Sequence, residues 1–344
     1  MARPSNRWAL VLAAGSGTRL QSLTADSTGA SIPKQFCSLN GGSSLLEEAL
    51  ARAAIVACPA QTIVVVAAEH RRHWQNALTA LPPRNVIVQP RNRGTANGIL
   101  LGVSAILSLA PEALVAILPS DHYVEREDVL AQALERAMTA IASDECAGSI
   151  GFLGIEPDSA DPELGYIVRG EPRGDGTCTV ARFVEKPSRE VAAKLLRRRA
   201  LWNSFLLVAR AAALVELIES RFPVEVAAFR SLWQQAAWSA RLSSELEQLY
   251  ERLPEIDFSR GVVEGASAPL HVVPVPSCGW TDLGTPQRVA DCLEQLSGVA
   301  RKPPSRVSLA RSFNLAEACA RLMRAAPSCA RHGRETGGES PLEA

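Results

Sequence analysis

The sequence predicts an α/β protein with a mixed, mostly parallel central sheet flanked by helices. Three observations carry that expectation. Short β-branched or apolar runs alternate with segments of helical period, which is the pattern of βαβ units. Glycine-rich or polar segments follow directly on several of those runs, where a strand would end. At 344 residues the chain is long enough for one large α/β core or two smaller ones.

The first element is "WALVLAA", residues 8–14, a continuous apolar run. It reads as a strand buried on both faces, running into the loop "GSGTRL". Two other readings compete. Arg3 and Arg7 precede the apolar run as in a secretory signal, although the run is at the lower limit of length for one. A dinucleotide fingerprint needs G-x-G-x-x-G, and the sixth position here is Leu20. A loop whose backbone N–H groups face an anion, with Arg19 adding charge, is the third reading.

Residues 43–57, "SSLLEEALARAAIVA", read as a helix with a serine cap and glutamates in its early turns. Strands are expected at 62–68, 85–90 and 113–121, separated by helices near 70–80 and 95–109. From residue 148 the pattern changes. Strands are expected within 148–155, at 165–168 and at 179–185, with a helix from about 188, and this second half is expected to cover the first as a mixed sheet. The basic run "KLLRRR" at 194–199 reads as the solvated end of that helix. Beyond residue 300 one short helix is expected at 314–325, inside a tail whose last dozen residues read as disordered.

Composition narrows the class of partner. Lys plus Arg and Asp plus Glu are each 36, so the formal net charge is zero and neither nucleic acid nor an anionic membrane is expected as the main partner. Positive charge for a phosphate ligand must therefore be local. The eight cysteines, at 37, 58, 146, 178, 278, 292, 319 and 329, form no C-x-x-C pair and read as reduced thiols. No apolar run approaches the roughly 20 residues of a membrane span, and a cytoplasmic location is expected. The sequence leaves assembly into a homo-oligomer open.

In open α/β sheets ligands bind beyond the carboxyl ends of the strands. The first strand delivers Ala14, Gly15, Ser16, Gly17, Thr18 and Arg19, and then Lys34 in "IPKQF". The third delivers Gln89, Gly94 and Thr95 in "QPRNRGTA", and the fourth places Asp121 in "PSDHY". A glycine loop, two cations and a carboxylate together suit a nucleoside triphosphate with Mg²⁺. Each signal alone has a plain reading: a tight turn, a surface lysine, a helix cap. His122 has no partnered Ser or Cys motif to make it a general base.

The ordered set "LAAGSGTRLQSLT…IPKQF", "ILPSDHY", "ELGYI", "FVEKP", "LWNSF", "EIDFS" and "GWTDLGT", spanning about 8–297, resembles the sugar-1-phosphate nucleotidyltransferases. Within them it is similar to the mannose-1-phosphate guanylyltransferase (GDP-mannose pyrophosphorylase) branch, in which "PKQF" and "PSDH" are characteristic. Three departures stand out: "RLQSLT" has Ser22 where the family has a proline before the leucine, "WNSF" lacks the glycine of "WNSGMF", and "QPRNRGTA" differs from "EP…RNTAPA". The resemblance implies a Rossmann-like, GT-A-like nucleotidyltransferase domain over 1–300. Residues 8–150 would form its nucleotide half, 151–300 its sugar-phosphate half, and 301–344 a tail. That tail is shorter than the cupin-like isomerase domain of bifunctional members, so a single activity is expected.

The implied reaction is transfer of a nucleotidyl group from NTP to a sugar 1-phosphate, with pyrophosphate leaving. Arg19 and Lys34 would neutralise the triphosphate, and the 14–18 loop would bring backbone amides to it. Asp121 and Asp282 would hold Mg²⁺. Gly165, Glu185, Lys186 and Asn203 would bind the sugar phosphate, and Gln89 and Gly94 would shape the base pocket. GTP with mannose 1-phosphate is favoured over glucose 1-phosphate with UTP or dTTP. A catalytically silent subunit that binds nucleotide sugar is the rival from another class, and it should have lost a phosphate or metal residue.

Overall fold

The computed structural model describes residues 6–17, 32–39, 41–236, 242–297 and 308–309. Thr18, Arg19, the helix expected at 314–325 and nearly all of the 301–344 tail lie outside the described residues.

The first strand, β1 (Arg7–Ala13), is followed by the short β2 (Cys37–Ser38) and the helix α1 (Leu45–Val56). Ser44 caps α1 in a capping box: its hydroxyl accepts from Glu47 N, and its own N–H donates to Glu47 Oε2 at 2.7 Å. Then come β3 (Thr62–Ala67), α2 (Arg71–Trp74), β4 (Val86–Gln89), α3 (Thr95–Leu109), β5 (Leu114–Pro119) and α4 (Glu127–Ala142). The helix expected near 70–80 is thus a single turn. Beyond it the chain continues in turns, with Thr79 Oγ1 donating to the Asn76 carbonyl at 3.2 Å, and Pro82 and Pro83 follow.

The second half contributes β6 (Ile150–Ile155), β7 (Tyr166–Pro172), β8 (Cys178–Val184), α5 (Arg189–Arg197), β9 (Leu201–Arg210), α6 (Ala211–Glu219), α7 (Pro223–Ala236), α8 (Leu242–Arg252), β10 (Leu270–Val275) and α9 (Pro286–Ser297). The pair β11 (Ser308–Leu309) runs antiparallel to β2. The end of α5 is solvated as expected, with Lys194, Arg197 and Arg198 exposed.

The nine remaining strands form one sheet in the order β4-β3-β1-β5-β9-β6-β10-β8-β7. Strands β4, β3, β1 and β5 are parallel, β9 runs antiparallel between β5 and β6, and β10 is parallel to β6. The second half therefore does not cover the first, as the sequence suggested, but extends its sheet. Strand β9 does this by pairing the backbone groups that β5 would otherwise leave open at an edge.

Strands β1, β3, β5, β6 and β9 are buried on both faces, which explains their continuous apolar sequences. Ala9, Val11 and Ala13 of β1 face one core with Leu46 of α1 and Leu134 of α4, while Trp8 and Leu10 face another with Leu100 of α3 and Leu214 of α6. The carboxyl ends of β1, β3, β4, β5, β6 and β10 share one edge of this sheet, and β9 begins there.

The turn from β4 into α3 is fixed by long-range backbone bonds. Ala96 N donates to the Ile256 carbonyl at 3.0 Å, and Ile256 N donates to the Arg93 carbonyl at 3.1 Å. Gly94 sits at φ 81°, ψ 168°, and a Cβ there would stand 2.3 Å from the Ile256 oxygen. Gly94→Ala is therefore expected to cost about 2 kcal/mol or more, because that backbone region is essentially reserved for glycine. Urea unfolding measures this, and an unchanged midpoint would show that the turn yields.

Candidate active site

At the shared strand edge lies a cleft with a cavity volume of about 490 Å³. Every residue nominated from the sequence that the structure describes lines it: Ala14, Gly15, Ser16 and Gly17 after β1, Lys34 before β2, Gln89 at the end of β4, Gly94 and Thr95 at the start of α3, Asp121 after β5, Gly165 before β7, Glu185 and Lys186 after β8, Asn203 in β9, and Asp282 after β10. Thr18 and Arg19 lie outside the described residues.

The first loop is held from below by a residue that sequence reasoning passed over. Gln35 Nε2 donates to the carbonyls of Ala13, at 3.1 Å, and Gly15, at 2.9 Å. The "Q" of "PKQF" thereby fixes the path of the glycine loop as it leaves the sheet.

Lys34 is buried and lines the cleft. Its ammonium lies 3.0 Å from Asp121 Oδ2 and donates to the carbonyls of Asp282, at 2.5 Å, and Leu283, at 3.3 Å. The loops bearing the two aspartates are also laced by backbone: Tyr123 N donates to Thr281 O, and Thr281 N to Tyr123 O, each at 2.9 Å. Burial pushes the Asp121 carboxyl up, but Lys34 and His122 outweigh it and hold it below its ordinary value. The resemblance gave Lys34 to the triphosphate. The structure engages it with protein oxygens.

Asp282 Oδ1 accepts from Arg288 Nη1 at 2.5 Å and from Gly284 N at 3.0 Å, and no hydrogen bond from a described residue reaches its Oδ2. Two carboxylates give a donor set of oxygen alone, which suits a hard cation that keeps several waters. Among the described residues no group of three or more His, Cys, Asp or Glu side chains could hold a metal. His122 packs edge-on against Trp280, with ring centroids 5.3 Å apart, and burial lowers its pKa to about 4. It is neutral at pH 7.

On the nucleotide side Gln89 is buried, and its Nε2 donates to the Arg91 carbonyl at 2.9 Å. Its Oε1 has no hydrogen-bond partner among the described residues. An unpaired buried acceptor costs free energy unless a ligand supplies the donor. Thr95 Oγ1 accepts from Phe258 N at 2.8 Å, so this threonine fastens the α3 turn to the "EIDFS" segment.

The opposite wall carries the second polar set. Glu185 Oε2 is buried without a partner among the described residues, and a Cβ on residue 165 would stand 2.5 Å from it, so only glycine leaves that carboxylate its place. Burial, reinforced by Asp257, pushes the Glu185 carboxyl up to about 7. Asn203 Nδ2 donates to Ser259 Oγ at 3.4 Å, and Asn203 Oδ1 accepts from Phe205 N at 3.0 Å. Lys186, Phe205 and Leu283, all lining the cleft, have positive φ of 43°, 59° and 48°. Left-handed backbone at non-glycine residues costs ~1–3 kcal/mol each, and its concentration here marks a built site.

Phe205, Asp257, Ser259 and Trp280 were missed as site residues. Asp257 and Ser259 sit in the quoted "EIDFS" and Phe205 in "LWNSF", but neither residue type nor spacing in those stretches indicated what they face.

The model of the nucleotidyl transferase family matches residues 8–297. Xanthan biosynthesis protein XanB of Xanthomonas campestris pv. campestris is 31% identical over 289 residues, covering 83% of this chain and 59% of that protein. Mannose-1-phosphate guanylyltransferase of Escherichia coli (strain K12) is 30% identical over 294 residues, covering 82% and 58%. The chain thus spans a little under three-fifths of the length of these relatives. A solved structure named mannose-1-phosphate geranyltransferase, from Thermus thermophilus, superposes with a TM-score of 0.70 at 29% identity, over 84% of this chain and 80% of that one. The structure of UDP-glucose pyrophosphorylase complexed with UDP-glucose shares the fold, with a TM-score of 0.50 at 14% identity over 85% and 98%. With the family model matching most of its length and this sheet-edge cleft at its centre, the chain belongs to the nucleotidyl transferase family.

Proposed function

We propose that this cleft transfers a nucleotidyl group from GTP to mannose 1-phosphate, forming GDP-mannose and releasing pyrophosphate. The observation that carries the reading is convergence. A glycine loop with a base-side acceptor and a sugar-side set with an unpaired carboxyl meet in one cleft, and the Lys34–Asp121–Asp282 cluster lies in the same space. The guanylyl and mannosyl assignment is supported by relatives named for that activity at about 30% identity and by the "PKQF" and "PSDH" motifs.

A phosphate monoester with a second pKa of about 6 is largely dianionic at pH 7, so its oxygen attacks the α-phosphorus without losing a proton. No general base is required, and neutral His122 is no obstacle. What the chain must do is bring two polyanions together and hold them in line. Amides of the 15–17 loop bind the triphosphate, and Arg19 adds charge to it. Lys186 holds the sugar phosphate, while Glu185 and Asn203 orient sugar hydroxyls. Asp121 and Asp282 would hold Mg²⁺, which supplies charge stabilisation to the phosphoryl oxygens when bound. Gln89 Oε1 accepts from the N–H edge of guanine. XanB's name, which refers to xanthan biosynthesis, supports nucleotide-sugar supply for a polysaccharide as the setting.

The test is pyrophosphate release from a panel of NTPs with sugar 1-phosphates in Mg²⁺. GTP with mannose 1-phosphate is expected to exceed UTP or dTTP pairs by more than about tenfold in kcat/KM. Gln89→Ala is expected to shrink that ratio more than it slows the best pair. A preference for UTP or dTTP would overturn the guanylyl assignment, and no turnover with any pair would overturn the reaction.

Glu185 gives a pH-dependent stability signature. Its folded pKa of about 7 lies above the ordinary 4.5, so the folded chain holds its proton longer than the unfolded chain does. The contribution is full below pH 4.5 and is lost as pH rises through 7. Glu185→Gln, neutral throughout, is expected to raise Tm at pH 8 by about 3–6 °C and to leave it unchanged near pH 4. Equal effects at both pH values in a thermal melt would contradict the buried-carboxyl description.

A further inference from the structure

Arg288 lies in the first turn of α9, six residues beyond Asp282. Its guanidinium bridges two carboxylates from distant parts of the chain. Nη1 donates to Asp282 Oδ1 at 2.5 Å, while Nε donates to Asp161 Oδ2 at 3.0 Å and Nη2 bonds the same oxygen. The three side chains are only 15–25% exposed, so the pairing is shielded from solvent more than a surface ion pair is.

Each carboxylate organises one wall of the cleft. Asp161 Oδ1 accepts from Glu163 N at 2.8 Å, and its backbone N–H and carbonyl both bond the Tyr166 hydroxyl, at 2.8 and 3.1 Å. That turn carries Glu163, Leu164 and Gly165 into the sugar side. Among the described residues Arg288 and Gly284 N both donate to Asp282 Oδ1 and none donates to Oδ2, which is the oxygen left for a ligand.

We propose that Arg288 is a positioning residue that acts in two linked ways. It presents Asp282 to a divalent cation through one oxygen, and through Asp161 it fixes the sugar-side turn to that same carboxylate. The inference rests on the proposed guanylyltransferase reading. A fork with two branches is needed, because a lysine is a point charge that cannot span both acids in this way.

The test measures Mn²⁺ binding by electron paramagnetic resonance in the presence of GDP-mannose and without pyrophosphate, together with separate KM values for GTP and mannose 1-phosphate. Outer-shell partners of a metal ligand typically alter affinity by about 10- to 100-fold, and Arg288→Met is expected to weaken Mn²⁺ within that range. Arg288→Lys should fall between the two. Asp161→Asn leaves the Arg288–Asp282 pair in place. It is expected to raise KM for mannose 1-phosphate by about fivefold or more, with KM for GTP and Mn²⁺ affinity unchanged. If Arg288→Met does not fold by circular dichroism, the other two variants decide the matter. Wild-type Mn²⁺ affinity in the folded arginine variants, or equal rises in both KM values for Asp161→Asn, overturns the coupling alone. A wild-type protein that binds no Mn²⁺ with GDP-mannose overturns the function reading and the inference with it.

Discussion

The buried ammonium of Lys34 holds the cleft together. It binds Asp121 at the end of β5 and the Asp282 and Leu283 carbonyls after β10, the latter 248 and 249 residues away in sequence. A cation at 9% exposure is costly to bury unless its donors are satisfied, and here three oxygens from two loops do so. The satisfaction is mutual. Asp121 keeps its charge because Lys34 is beside it, and the shared ammonium adds a second tie to the Tyr123–Thr281 backbone pair that joins the two loops.

The sheet makes that meeting geometrically cheap. Insertion of antiparallel β9 between β5 and β6 lets the parallel strands of both halves end at one edge, so loops from residue 14 to residue 284 open into one space. Small devices then set each loop: Gln35 under the glycine turn, Ile256 against the α3 turn, and Arg288 between Asp161 and Asp282. The backbone strain at Lys186, Phe205 and Leu283 is borne by residues that line this same cleft. At Phe205 the chain accepts a φ of 59° on an aromatic residue and sets its ring 6.0 Å from Phe258.

The strands were legible because burial on both faces leaves an uninterrupted apolar run, and α1 because a serine cap and glutamates in the early turns mark a helix start. The residues at strand ends were legible by type: glycine, lysine and aspartate following an apolar run suggest phosphate chemistry. What could not be read is what depends on long-range pairing. Nothing local in "GSIGFLGI" or "LWNSFLLVAR" says that β6 and β9 extend the first sheet instead of covering it. The engagement of Lys34 by two carbonyls, and the bridging role of Arg288, likewise arise only when segments over 120 residues apart come together. The single turn in place of the 70–80 helix also does not follow from hydrophobic periodicity.

Hydrogen exchange on Lys34→Met, compared with the wild-type chain, tests the role of this ammonium most directly. Without its bonds to Asp282 and Leu283, amides in residues 120–124 and 279–285 should exchange at least about tenfold faster, while β1 and β5 keep their protection. Unchanged protection in both loops would contradict the account, since the two aspartate loops would then hold their places without the lysine.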